Sequence, residues 1–210
     1  MTITNGYITL EEARGVIYTD DISYFGADAR IEKTIEAASR EVDKFCHRRF
    51  FAVPETRYYT ADDGNELQVD DLTGTPTIAT DDSGSGTYTA WSASDYNLTY
   101  GGNYNANLDD KPFTQIEVSE SGTKNFPAKV KKGVRIYASF GYTASTNANN
   151  APAPIHDATL ITVHRLFKRS DIPLGVQGGN AQLGQPAVTI PRLSLDPDVQ
   201  DLLTPFKRYV

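Results

Sequence analysis

The sequence predicts an α+β protein: a small helical bundle of three core helices, a fourth helix near the C-terminal end, and an inserted antiparallel β region. Three observations predict it. Apolar residues recur at the helical period within residues 9–50 and again from Pro154 onward. Between them, from Pro54 to Tyr142, short runs rich in Thr, Tyr, Val and Ile alternate with Gly, Asn and Asp turn signals. Finally, a Gly- and Pro-rich stretch without periodicity precedes an amphipathic terminal segment. The organisation that follows is a helical core over 1–53 and 143–170, an inserted β region over 54–142, and an extended arm with a C-terminal helix over 171–210.

The elements follow in order. Thr9 and Glu12 form a capping-box pair, and Leu10, Ala13, Val16 and Ile17 lie on one face of a short first helix. A longer helix runs from about Asp28 to His47. Its apolar residues Ile31, Ile35, Ala38, Val42 and Phe45 make one stripe, with Glu32, Lys33, Glu36, Arg40, Glu41 and Lys44 on the other face. The β region holds seven runs: 56–60, 66–69, 75–79, 88–91, 96–100, 114–118 and 134–140. Asp63-Gly64-Asn65, Asp82-Ser83-Gly84, Gly101-Gly102-Asn103 and Ser121-Gly122 separate several of them. A third helix spans about Ile155 to Arg169. It carries apolar residues on more than one face, as the central helix of a bundle does. Residues 170–193 read as an extended, mobile arm. Asp196 caps a last helix, Pro197 fits its first position, and Val199, Leu202, Leu203 and Phe206 form its stripe.

Composition narrows the function. The chain has 210 residues, enough for one domain or two small ones. Lys plus Arg number 20 and Asp plus Glu 27, so the net charge is −7. That balance argues against a protein that grips nucleic-acid phosphates over a wide surface. The charge is uneven: residues 60–120 carry 12 acidic groups against Lys111 alone, while residues 121–210 carry 11 basic and 5 acidic groups. Such asymmetry suits oriented, partner-facing surfaces and head-to-tail self-association, and also ordinary solvated surface. No apolar run reaches the ~18–20 residues of a membrane helix. The first residues lack the basic start of a secretory signal. One cysteine, Cys46, excludes an internal disulfide.

Nothing in the chain reads as an active site. Cys46 and His47 are neighbours on a helix and point about 100° apart. His156 and His164 share no carboxylate at ligand spacing. Asp62-Asp63-Gly64-Asn65-Glu66 and Asp81-Asp82 lack the spacing of a helix–loop–helix calcium site and read as hairpin turns. The expectation is therefore no enzyme, no metal and no cofactor. Two features point to partners instead. Arg48, Arg49 and Phe50 close the long helix with cations and an aromatic ring, either as a favourable helix end or as a contact to a neighbouring subunit. The terminal stripe either folds back on its own core or docks in a groove of another protein.

The chain resembles the head–tail connector (adaptor) proteins of long-tailed phages, which form a ring beneath the portal. The resemblance rests on Tyr7-Ile8-Thr9-Leu10-Glu11-Glu12-Ala13, Ile31 to Arg40, and Phe45-Cys46-His47-Arg48-Arg49-Phe50. Phe126-Pro127, Phe140-Gly141-Tyr142, Pro154-Ile155 and His164 to Arg169 extend it, as does the terminal run Asp196 to Arg208. Order and spacing match over most of the chain. Gly15 and the long Asn/Gly/Thr-rich β region depart from the family pattern. The resemblance implies a structural virion protein, twelve copies to a ring, between the portal and a stopper or tail protein. Double-stranded DNA would pass through without being read. Its site of action would be the virion, with assembly in the host cytoplasm and no membrane partner. It also implies a portal-docking role for Leu195, Val199, Leu202, Leu203, Phe206, Lys207, Arg208 and Tyr209. A different reading of the β region is a tail or baseplate module that stacks surface glycans on Tyr58, Tyr59, Tyr88, Trp91, Tyr96, Tyr100 and Tyr104.

Overall fold

A computed structural model describes residues 3–18, 27–169, 176–177, 188–189 and 195–208. The chain divides into two compact units, Met1–His47 with Ala148–Val210, and Arg48–Asn147. The fold is α+β: among the described residues there are four α-helices and a six-stranded antiparallel sheet.

In the first unit the helices are α1 (Leu10–Ile17), α2 (Asp28–Cys46), α3 (Ala153–Arg169) and α4 (Pro197–Leu203). The capping box forms: the Glu12 amide donates to Thr9 Oγ1 at 3.2 Å, and the Thr9 amide donates to Glu12 Oε2 at 2.7 Å. Ile31, Ile35 and Ala38 of α2 meet Ala13 and Ile17 of α1 and Val163 and Phe167 of α3, and all are buried. Burying each large aliphatic side chain stabilises the unit by roughly 1.5–3 kcal/mol. The segment ahead of α1 is tied down by polar bonds. The Tyr7 amide donates to Ser39 Oγ at 3.1 Å, and the Tyr7 hydroxyl donates to Asp43. Arg30 lies over the Phe167 ring, 4.2 Å from its centroid, and donates to the Phe167 carbonyl at 3.0 Å.

α2 stops at His47, which takes the left-handed conformation (φ 54°, ψ 35°) while its amide donates to Asp43 O. The predicted end at His47 is thus one residue long, and Arg48, Arg49 and Phe50 lie beyond the helix.

In the second unit the strands are β1 (Val53–Tyr59), β2 (Glu66–Thr80), β3 (Thr89–Ala90), β4 (Tyr96–Thr99), β5 (Phe113–Val118) and β6 (Val134–Phe140). Their order is β1-β6-β2-β5-β4, with β3 also paired to β2. Ile136 of β6 pairs with Arg57 on one side and Ile78 on the other. Leu67, Leu72, Ile78, Ile116, Val134, Ile136 and Phe140 fill the core. The runs expected at 66–69 and 75–79 are one 15-residue strand. Asp70–Gly74 looked like a break because Gly and Asp disfavour strands. The strand passes through it by shifting register between Gln68 and Leu72 and again between Thr73 and Thr77. Gly74, at φ 75°, and Pro76 fall in the second shift, where no regular ladder bond is lost.

Most of the expected arm at 170–193 lies outside the described residues. Within it Val176–Gln177 (β7) and Val188–Thr189 (β8) pair antiparallel.

Candidate partner-binding surface

The C-terminal segment is built into the first unit. Pro197 occupies the start of α4, the Gln200 amide donates to Asp196 O at 2.9 Å, and Gln200 Nε2 donates to Leu195 O at 2.9 Å. Asp196 also pairs with Arg165 of α3. Leu195, Val199 and Leu203, four residues apart, are 2%, 1% and 0% exposed. The stripe reads either as folding back on its own core or as docking on a partner, and in this structure these three side chains rest on their own unit. A short apolar stripe loses its water most readily against the nearest apolar surface, and α2 and α3 of the same unit supply it. Leu202, Phe206, Lys207 and Arg208 remain partly exposed. The Arg208 amide donates to Cys46 O at 2.9 Å, which holds the end of the segment on α2. Tyr209 lies outside the described residues.

Between α2 and this segment is a cavity of about 270 Å³ lined by Glu41, Lys44, Phe45, His47, Leu195 and Lys207. Lys207 Nζ sits 5.2 Å from the centroid of the Phe45 ring. Burial pushes the Glu41 carboxyl above the usual carboxylate range, against the pull of Arg169, Lys44 and Arg165. Glu41 Oε2 is buried and has no hydrogen-bond partner among the described residues. Burial also lowers the Arg165 guanidinium, helped by Arg169 and opposed by Glu41.

Arg48, Arg49 and Phe50 belong to the second unit. Phe50 is wholly buried, its ring 5.4 Å from that of Tyr142. Arg48 pairs with Asp71 at 3.4 Å, and its guanidinium lies over the rings of Tyr142 and Tyr100, 5.3 and 5.9 Å from their centroids. Arg49 bonds Glu55 at 3.0 Å and the Phe140 carbonyl at 2.8 Å. The left-handed turn at His47 ends the helix, and the chain then carries these side chains into the sheet unit's own packing.

The aromatic set proposed for glycans is also divided. Trp91 stacks on Phe126 at 4.7 Å and donates to Thr80 Oγ1 at 3.0 Å. The Tyr96 hydroxyl donates to Pro76 O at 2.8 Å, and Trp91 and Tyr96 are only 8% and 7% exposed. These two rings are core, while Tyr58 and Tyr104 are half exposed or more. The Asp81 carboxylate accepts from the amides of Ser83, Ser85 and Gly86. Burial alone would raise it, but those amides hold it below the usual range. The acid thus organises its own turn. Among the described residues no group of three or more His, Cys, Asp and Glu could hold a metal ion. No helix among them is long and apolar enough to cross a membrane.

The fold of the whole chain has known counterparts. One is a chain in the virion of a native gene transfer agent particle, at TM-score 0.60 and 13% identity, covering 100% of this chain and 94% of that one. The chain shares its fold with neck chains of gene transfer agent particles. One comes from the neck of a native particle computed with C12 symmetry (TM-score 0.59, 11% identity, 100% and 93% covered). Another comes from the neck of an empty particle computed with C6 symmetry (TM-score 0.58, 11% identity, 100% and 94% covered). No protein-family model and no curated protein matches the sequence. The likeness to the neck chains therefore lies in the fold, over helices and sheet alike, and not in conserved sequence. Sequence reasoning had no signal for the cavity, because its lining comes from positions about 150 residues apart.

Proposed function

We propose that this chain is a structural neck protein of a phage-like particle. It assembles with copies of itself into a ring between the portal and a stopper or tail protein. The observation that carries this reading is the full-length fold match to chains of gene transfer agent necks, two of them computed with six- and twelve-fold symmetry. A closed ring requires one head-to-tail contact repeated by a fixed rotation. Twelve copies is the expected number. The lumen passes DNA without reading it, and acidic groups of residues 60–120 repel a moving polyanion. The role is assembly, not catalysis.

In this reading the C-terminal segment faces the portal through what its own unit leaves outside: Leu202, Phe206, Lys207 and Arg208, continued by Tyr209. Leu195, Val199 and Leu203 anchor that segment from within. The test is electron microscopy of the purified protein, alone and with purified portal. Annuli that sit coaxially on portal are expected. A chain ending at Leu203 should still fold but lose portal binding. Absence of rings in both samples would overturn the neck reading, and undiminished portal binding by the shortened chain would overturn the docking role.

A further inference from the structure

The second unit carries an apolar knob. Leu108, on a short helical turn over Ala106–Asp109, is 76% exposed, the largest value among the exposed large hydrophobics of the described residues. Tyr104, in the same loop, is 56% exposed. The loop is held in shape. Tyr100 and Asn103 exchange amide-to-carbonyl bonds at 3.0 Å, and the Lys111 amide donates to Ala106 O at 2.9 Å. Asn103 Nδ2 donates to Asp109 at 3.2 Å, and Ala106 beneath is wholly buried. A loop already ordered loses little entropy on docking, so it suits recognition. Its chemistry is specific: a leucine followed at once by Asp109 and Asp110.

The first unit carries a cavity of the opposite character. Phe45 and Leu195 give it apolar walls, and Lys44, His47 and Lys207 give it a basic rim. At about 270 Å³ it is below the usual size for a drug-like ligand and fits side chains. Its single acid, Glu41, lies among Lys44, His47 and Lys207, so basic groups outnumber acidic ones in the lining.

Building on the neck reading, we propose that the loop of one copy fills this cavity on the next copy, with Leu108 against Phe45 and with Asp109 and Asp110 against Lys44 and Lys207. The knob belongs to one unit and the cavity to the other, so the contact pairs two unlike patches and is heterologous, the kind that propagates into a ring. Opposite charge at the rim fixes its orientation, and the leucine supplies desolvation at its centre.

The experiment mixes two single variants, Leu108→Cys and Lys44→Cys, lets rings assemble, and adds a short bis-maleimide linker. A covalent dimer from the mixture, absent for either variant alone, is the expected result. It can only join two chains. Native Cys46 is buried, and the unmodified protein controls for it. Rings that form without this link would overturn the knob while leaving the neck reading intact. No rings from the unmodified protein would overturn both. Charge exchange is the second arm. Asp109→Lys with Asp110→Lys, or Lys44→Glu with Lys207→Glu, should each raise the concentration needed for assembly at least about tenfold. A chain carrying all four changes should recover assembly, with circular dichroism melts showing that each variant folds. No recovery would sink the pairing. A chain ending at Arg208 tests the other occupant: cross-linking that appears only in that shortened chain would assign the cavity to the chain's own terminus.

Discussion

Arg48 and Asp71 form an ion pair at 3.4 Å whose side chains are only 5% and 6% exposed, with the Tyr142 and Tyr100 rings on the guanidinium. Asp71 lies within the first register shift of β2, where its carbonyl also accepts the Gly141 amide at 2.8 Å. Removing one member leaves a buried charge without its counter-ion. Asp71→Ala is therefore expected to destabilise the protein by about 3–5 kcal/mol in urea unfolding. Arg48→Met with Asp71→Leu should cost far less, because no charge is stranded. Equal losses for the single and double variants would refute this account.

Glu12 links the start of α1 to α3. Burial by itself would raise its carboxyl, but the Thr9 amide and hydroxyl and His156 of α3, 3.1 Å away, together hold it below the ordinary value. A carboxyl lowered in the folded state binds protons more readily in the unfolded state. Its contribution is then complete above the unfolded value near pH 4.3 and fades as pH falls through the folded one. Glu12→Gln should flatten the stability–pH curve in that acid window. Thr9→Ala should cost about 1 kcal/mol at neutral pH. An acid limb unchanged in Glu12→Gln would show that other carboxylates set it.

Glu41 behaves in the reverse sense. Its folded value is raised, by burial first, so the folded state holds the proton more tightly and stability falls as pH rises through the shift. Glu41→Gln keeps the shape and removes the titration. We expect the variant to melt higher than the native chain at neutral pH and to match it near pH 4. A lower melting temperature at neutral pH would mean that attraction from Arg165, Arg169 and Lys44 outweighs burial.

The contrast between these sites shows what a linear sequence carries. Local and periodic features were legible. The α2 stripe from Ile31 to Val42 is buried as spaced, and Thr9 and Glu12 form the cap that their separation implies. β2 was legible only in part, because its continuity across Asp70–Gly74 depends on β5 and β6 pairing on both sides. The fates of Arg48, Arg49 and Phe50 were not legible. One left-handed residue, His47, decides whether they end a helix or enter a core, and although histidine is enriched in that conformation, only a few per cent of non-glycine residues adopt it, so the sequence does not mark the position. The cavity was invisible for a related reason, since Phe45 and Leu195 meet only through tertiary packing.

The packing of α4 makes a claim that separates an anchored terminus from a loose hook. Leu203 is wholly buried and Val199 nearly so, and the Arg208 amide closes the segment on Cys46 O. If this packing holds the free chain together, Leu203→Ala should destabilise it by about 2–5 kcal/mol through lost burial and the cavity left behind. Leu202→Ala, one position round the helix and partly exposed, should change stability much less. Portal affinity should rank the two the other way once the melt of each is taken into account. If Leu203→Ala leaves the melt unchanged, the helix does not rest on its own unit in solution. The whole stripe, Leu195, Val199 and Leu203 included, would then face the partner.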